Sequence, residues 1–235
     1  MPTSATTGLH WPGWPQLWLA FWLGMLQAVW FALVYGGTDW FTRQHSYRLV
    51  WHTRWDLLIP FVPAAYLAYL SLNALFWVVP FVLRTRAEIY GFVITLAAAT
   101  AVAGCCFLAL PLAHSHSPVE TADLGNWQAI ASFGKALALE YNYVPSLHVA
   151  YTAISFLAMR TYLRGWQKAV LQLWCGAIVI STLLTHQHYL IDVVTGLLLG
   201  WLSIRCCYRP WLARAARSTA QSTRPNQTAD QADLV

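Results

Sequence analysis

Residues 17–35, 57–83 and 89–112 are runs in which nearly every side chain is apolar. Each reaches the roughly 20 residues that a helix needs to cross a hydrocarbon core about 30 Å thick. Three shorter apolar runs follow, at 147–163, 169–184 and 189–204. At 1.5 Å per residue these reach only about 24 Å, so polar residues at their ends should sit in pockets recessed below the lipid surface. The expected fold is all-α: a polytopic membrane protein built as a bundle of six transmembrane helices.

Composition agrees, because 58% of the residues are apolar and only 10% charged, far from the quarter-charged mix of a soluble domain. Residues 1–16 carry no Lys or Arg ahead of the first run, so that run reads as a retained span with an interfacial amino terminus, not as a signal peptide. Residues 17–208 form the six-span unit, and 209–235, polar and poor in apolar side chains, read as a disordered tail. Asn226 begins a glycosylation sequon, which has no use in a cytoplasmic tail. The five cysteines lie within or at the ends of apolar runs with no metal-ligand spacing, and they imply packing, not a disulfide framework. Of the fourteen bases, ten fall on the side of the chain ends and four on the other. The positive-inside rule then puts both termini in the cytoplasm and the loops before residues 147 and 189 outside. Scattered between spans, the bases form no nucleic-acid stripe, and the many tryptophans at span ends serve as interfacial anchors.

Two stretches depart from ordinary membrane helix: one holds Pro145, Ser146 and His148, the other Ser181, His186, His188 and Asp192. An ionisable residue at membrane depth is costly and needs a partner. His188 and Asp192 are four apart, which stacks them on one helix face and lets the carboxylate hold one ring nitrogen. The other nitrogen is then an oriented nucleophile or base. His148 follows Pro145 and Ser146 at the start of the fourth span, so both histidines sit at helix amino termini on one membrane face. Free N–H groups and the helix dipole favour an anion there, and Ser146 adds a hydroxyl. Asn142, Tyr143 and Tyr189 are candidates for lining a headgroup pocket. Asp56 reads as a helix-start acid in preference to a headgroup contact. Gly196 and Gly200 are a small-x-x-x-small pair that allows close helix approach.

Pro145-Ser146-Leu147-His148, and Ser181-Thr182 followed after five residues by His188 and after three more by Asp192, resemble the second and third motifs of the type 2 phosphatidic acid phosphatase superfamily. With Leu147 in place of glycine and a His-Tyr-x-x-Asp core ending in Gly196, the chain looks most like the branch that includes inositol phosphorylceramide synthases. The resemblance implies that His188 attacks phosphorus to form a phosphohistidine, that Asp192 orients it, that His148 protonates the leaving oxygen, and that Ser146 and Ser181 hold phosphate oxygens. It implies no metal and no cofactor. The substrate would be a lipid phosphoester or pyrophosphate in the bilayer, and the acceptor water or an alcohol such as a second lipid. The family's first motif, Lys, six residues, Arg-Pro, is absent, and Thr182 stands where the third has Arg. A phosphoryl transition state wants fixed cations; protonated His186 and His116 are the expected substitutes, ahead of Lys135 and Arg54, which would favour acidic pH. The absent clamp tilts the reading toward transfer over hydrolysis.

Two other classes use the same residues: a transporter-like protein with His188 and Asp192 as a proton relay, and a metal oxidoreductase ligated by His148, His186, His188 and Asp192.

Overall fold

Pro15 stands in the first turn of helix α1 (Trp14–Arg43), where its missing N–H breaks no bond. The computed structural model describes residues 8–112, 124–137, 139 and 141–222. Only 6% of the most apolar window of α1 is buried by protein, and Trp18, Trp22, Leu26 and Leu33 lie exposed along it. A helix so apolar and so little covered needs lipid around it.

The second run does not fold as one rod. Pro60 and Pro63 lack donors and push the residues before them out of helical geometry, so residues 56–64 hold only a 3-10 turn, Asp56–Leu58. Helix α2 (Ala65–Leu70) then breaks at Ser71 before α3 (Leu72–Val78). The Ser71 hydroxyl donates to the Ala68 carbonyl at 2.6 Å and accepts from Trp174 Nε1 at 2.8 Å. Helix α4 (Arg86–Ala109) opens with a capping box in which Thr85 accepts from the Glu88 N–H at 3.2 Å and Glu88 from the Thr85 N–H at 2.9 Å. Helix α5 (Gln128–Leu137) lies in the connection to α6 (Leu147–Met159), which is followed by α7 (Gly165–Leu184) and α8 (Leu190–Ser203). A π-helical turn, Ile204–Tyr208, carries α8 directly into α9 (Arg209–Ser222).

Four helices among the described residues are long and apolar enough to cross a membrane: α1, α4, α7 and the continuous Leu190–Gln221 rod. The other two stretches expected to span hold shorter apolar helices, Ala65–Phe81, which breaks at Ser71, and Leu147–Met159, so length supports four of the six expected spans. The last span is longer than expected, and residues 209–222, expected to be disordered, are helical. Trp211 explains this locally, for its Nε1 donates to the Ala87 carbonyl at 2.8 Å and ties α9 to α4.

Helix α6 is the centre of the bundle. Val149, Ala150 and Ile154 are wholly buried, and α8 presses against it at two glycines. A Cβ on Gly196 would come 2.6 Å from the Ser146 carbonyl oxygen, and one on Gly200 would come 2.8 Å from that of Ala150. The ends of the bundle differ. At one end, Gly8 N donates to the Tyr162 carbonyl at 2.8 Å and Tyr162 to Glu88 at 2.9 Å. At the other, Tyr141 N donates to Asp39 at 3.2 Å and Leu190 N to Asp56 at 2.6 Å, which gathers there the starts of α6 and α8 and the ends of α1 and α7.

Replacing Gly196 by Val should cost about 1–3 kcal/mol through overpacking against backbone. Gly176→Val, where an added Cβ meets nothing within 4 Å, should be close to neutral. Thermal unfolding of the detergent-solubilised protein compares them, and equal melting points would show that the close crossing is not what holds α6 to α8.

Candidate active site

The turn between α7 and α8 is closed by main-chain bonds. His186 N donates to the Leu183 carbonyl at 3.0 Å, and Gln187 N and His188 N both donate to that of Thr182 at 3.1 Å. The first two bonds make a Schellman motif whose left-handed position, usually glycine, is taken by His186 at φ 55°. Thr182, where the family motif has Arg, thus serves the turn with its carbonyl, while its hydroxyl donates back to Val179 at 2.7 Å. Residues 59–66 brace the turn from outside: Val62 N donates to the Leu184 carbonyl at 2.8 Å, His186 Nε2–H to that of Ile59 at 2.9 Å, and Gln187 Nε2 to the Tyr66 hydroxyl at 3.0 Å.

Held by this turn, His188 Nδ1–H donates to Asp192 Oδ2 at 3.2 Å. Asp192 is wholly buried, and the same oxygen accepts from Tyr189 N at 2.9 Å, whereas Oδ1 has no partner among the described residues. With Nδ1 so engaged, Nε2 of His188 keeps its lone pair. Asp56, 1% exposed, accepts from Leu190 N through one oxygen and from the Thr53 N–H and hydroxyl, each at 2.7 Å, through the other. It is a cap supplied from far along the chain, and it belongs to the start of α8.

The start of α6 is placed by Ser146 N, which donates to the Asp192 carbonyl at 3.1 Å and so binds the two motifs together. Ser146 Oγ accepts from Val149 N at 3.3 Å as the N-cap, and no acceptor among the described residues takes its proton. The His148 ring stacks on Tyr69, centroids 4.1 Å apart and planes 9° from parallel. Its Nε2–H donates to the Tyr69 carbonyl at 2.8 Å, one of the orphan acceptors of the last turn of α2, so Nδ1 is the atom left to exchange a proton.

The other expected residues fall in different places. The Tyr143 ring meets that of His188 edge-on, centroids 6.3 Å apart, and lies 6.0 Å from that of Tyr189. Asn142 is turned to α1, its amide donating to the Tyr35 carbonyl at 2.6 Å and its oxygen accepting from Thr38 at 3.2 Å. The Ser181 hydroxyl donates to the Ile178 carbonyl at 2.7 Å. His186 lies edge-on to Phe61, and His116 is outside the described residues. Asp56, expected as a helix-start acid, does cap a helix start, but that of α8, whose Leu190 lies 134 residues on. Tyr69 was missed, and no sequence feature singled it out. Among the described residues, no three His, Cys, Asp or Glu side chains gather closely enough to share a metal ion.

The two helix starts are not equivalent toward an anion. That of α8 already receives the carboxylates of Asp56 and Asp192, whereas that of α6 is capped only by a neutral hydroxyl. Among the described residues, the start of α6 therefore carries no carboxylate beside its first N–H groups, those of Leu147 and His148, which point out of the helix.

A family model for the PAP2 superfamily matches residues 40–206, which takes in both motifs and everything from the end of α1 to the π-helical turn. No curated protein and no solved structure gives a significant match.

Removing the Asp56 carboxylate leaves Leu190 N without its acceptor. Asp56→Ala should cost about 1–2 kcal/mol, as losses of helix caps do, and Asp56→Asn should recover much of it. Chemical denaturation monitored by tryptophan fluorescence measures both, and equal loss in the two variants would contradict the cap.

Proposed function

The chain belongs to the PAP2 superfamily, a membership that suggests phosphatase or phosphotransferase activity, and on that premise we propose that it cleaves or transfers the phosphoester headgroup of a membrane lipid through a phosphohistidine at His188. The bond from His188 Nδ1 to the wholly buried Asp192 carries this reading, because it fixes the tautomer and aims Nε2 as the nucleophile. Nε2 attacks phosphorus, the P–O bond to the leaving group breaks, and a proton passes from His148 Nδ1 to the departing oxygen while Nε2–H stays on the Tyr69 carbonyl. In the second half, water or an alcohol loses its proton to His148, attacks phosphorus and breaks the P–N bond. Ser146 and the first N–H groups of α6 hold the equatorial oxygens.

An alcohol acceptor, as in the inositol phosphorylceramide synthase-like branch, is supported by Leu147 and by the missing first motif. The base asymmetry supports a site on the extracytoplasmic face with both termini in the cytoplasm.

With labelled phosphatidic acid as probe, His188→Ala should lower turnover by at least about 10³-fold and leave no acid-labile phosphoprotein. His148→Ala should lower it about 10²- to 10⁴-fold and slow the first appearance of label on His188; labelling as fast as in the wild type would contradict its role as leaving-group acid. Full turnover in His188→Ala would end the proposal, and mass spectrometry of products with and without added alcohols separates transfer from hydrolysis.

A histidine standing in for the cations makes the rate rise as pH falls from 8 toward 5. A flat profile would assign the charge to another group.

A further inference from the structure

A cleft of about 440 Å³ opens on the lipid-facing side between α6, α7 and α8, within the range of about 300–1,000 Å³ common for small-molecule sites. Its walls are Thr152 and Phe156 of α6, Gly176 and Ile180 of α7, and Leu197 and Trp201 of α8. These are the three helices that carry His148, Ser181 and Asp192, and the lining residues nearest to these in the chain are Thr152, Ile180 and Leu197. Thr152 lies one turn below His148 and donates to its carbonyl at 2.8 Å. Ile180 precedes Ser181, and Leu197 follows the Gly196 that touches Ser146. From there the cleft descends about one further turn on each helix, to Phe156, Gly176 and Trp201. Its surface is almost wholly apolar, and Ile180, Leu197 and Trp201 are exposed along it. At Gly176 a Cβ would meet nothing within 4 Å, so the gap between the helices is open there.

We infer that this cleft holds a hydrocarbon chain of the same lipid whose headgroup reacts at His188. The assignment rests on the reading of the site as a lipid phosphoester site. It follows from continuity: a headgroup received at the start of α6 leaves its chains pointing toward the bilayer centre, along the line on which the cleft descends. An apolar chain there buries methylene surface against fixed walls, while the headgroup held at the start of α6 decides which lipid's chain enters.

The test uses the full chain carrying His188→Ala, in phosphatidylcholine nanodiscs, with a long-chain phosphatidic acid bearing a diazirine near the end of one chain. Crosslinks should map to residues 172–180 and 197–201. They should fall about tenfold with excess unlabelled phosphatidic acid, but not with phosphatidylcholine, and by a similar factor in Gly176→Phe, the loss expected when a few methylene contacts are removed. Labelling that phosphatidic acid does not compete, or that Gly176→Phe leaves unchanged, would mean bulk lipid only and overturn the assignment. Phosphate release by the wild type alongside uncompeted labelling would sink the cleft and leave the reaction standing. Competed labelling without any phosphate release would support the cleft as a lipid site and sink the reaction.

Discussion

The close crossing of α6 and α8 is what the candidate site depends on. Neither Gly196 nor Gly200 puts an atom between the helices, and the approach they permit brings Ser146 N to the Asp192 carbonyl. In lipid, where apolar side chains gain little by leaving one apolar phase for another, such backbone proximity is a main source of helix association. Here it also has a chemical result. It sets the amino terminus of one helix, with its free N–H groups, beside the histidine at the amino terminus of the other.

Around that crossing, α2 acts as a template. With the proline-bounded stretch before it, it supplies acceptors to both histidine motifs: the Ile59 carbonyl receives His186, the Tyr69 carbonyl receives His148, and the Tyr66 hydroxyl receives Gln187. The irregular backbone is held by bonds to the turn between α7 and α8, such as Val62 N to the Leu184 carbonyl, which supply the partners that a membrane helix would find within itself.

Two carboxylates lie wholly or nearly buried at the start of α8. The N–H groups of the helix start and its dipole compensate them, with Thr53 adding a hydroxyl to Asp56. Among the described residues, this leaves two carboxylates at the start of α8 and none at that of α6, so the same local feature, a helix amino terminus, holds carboxylates in one case and only the neutral Ser146 hydroxyl in the other. Burial of Asp192 also keeps its bond to His188 away from competing water, which strengthens the orientation that the proposed chemistry needs.

Apolar run length and spacing settled much of this in advance. The helical membrane class followed from the solvent that such runs require, and the pairing of His188 with Asp192 was legible from their spacing, although His188 proves to lie in the turn ahead of α8, where Asp192 reaches back to it from the first turn, and not on the helix face that the four-residue period suggested. What is local in sequence was legible. The break in the second run was signalled by Pro60, Pro63 and Ser71 but outweighed by its hydropathy, and the helicity of residues 209–222 was hidden because Trp211 finds its acceptor more than a hundred residues earlier. Only the tertiary structure could decide that Asp56 caps α8, that Tyr69 stacks on His148, and that Asn142 turns to α1 and away from the site. Those choices depend on which surfaces meet when helices pack, and a periodic pattern names the face a residue occupies without naming the neighbour it meets.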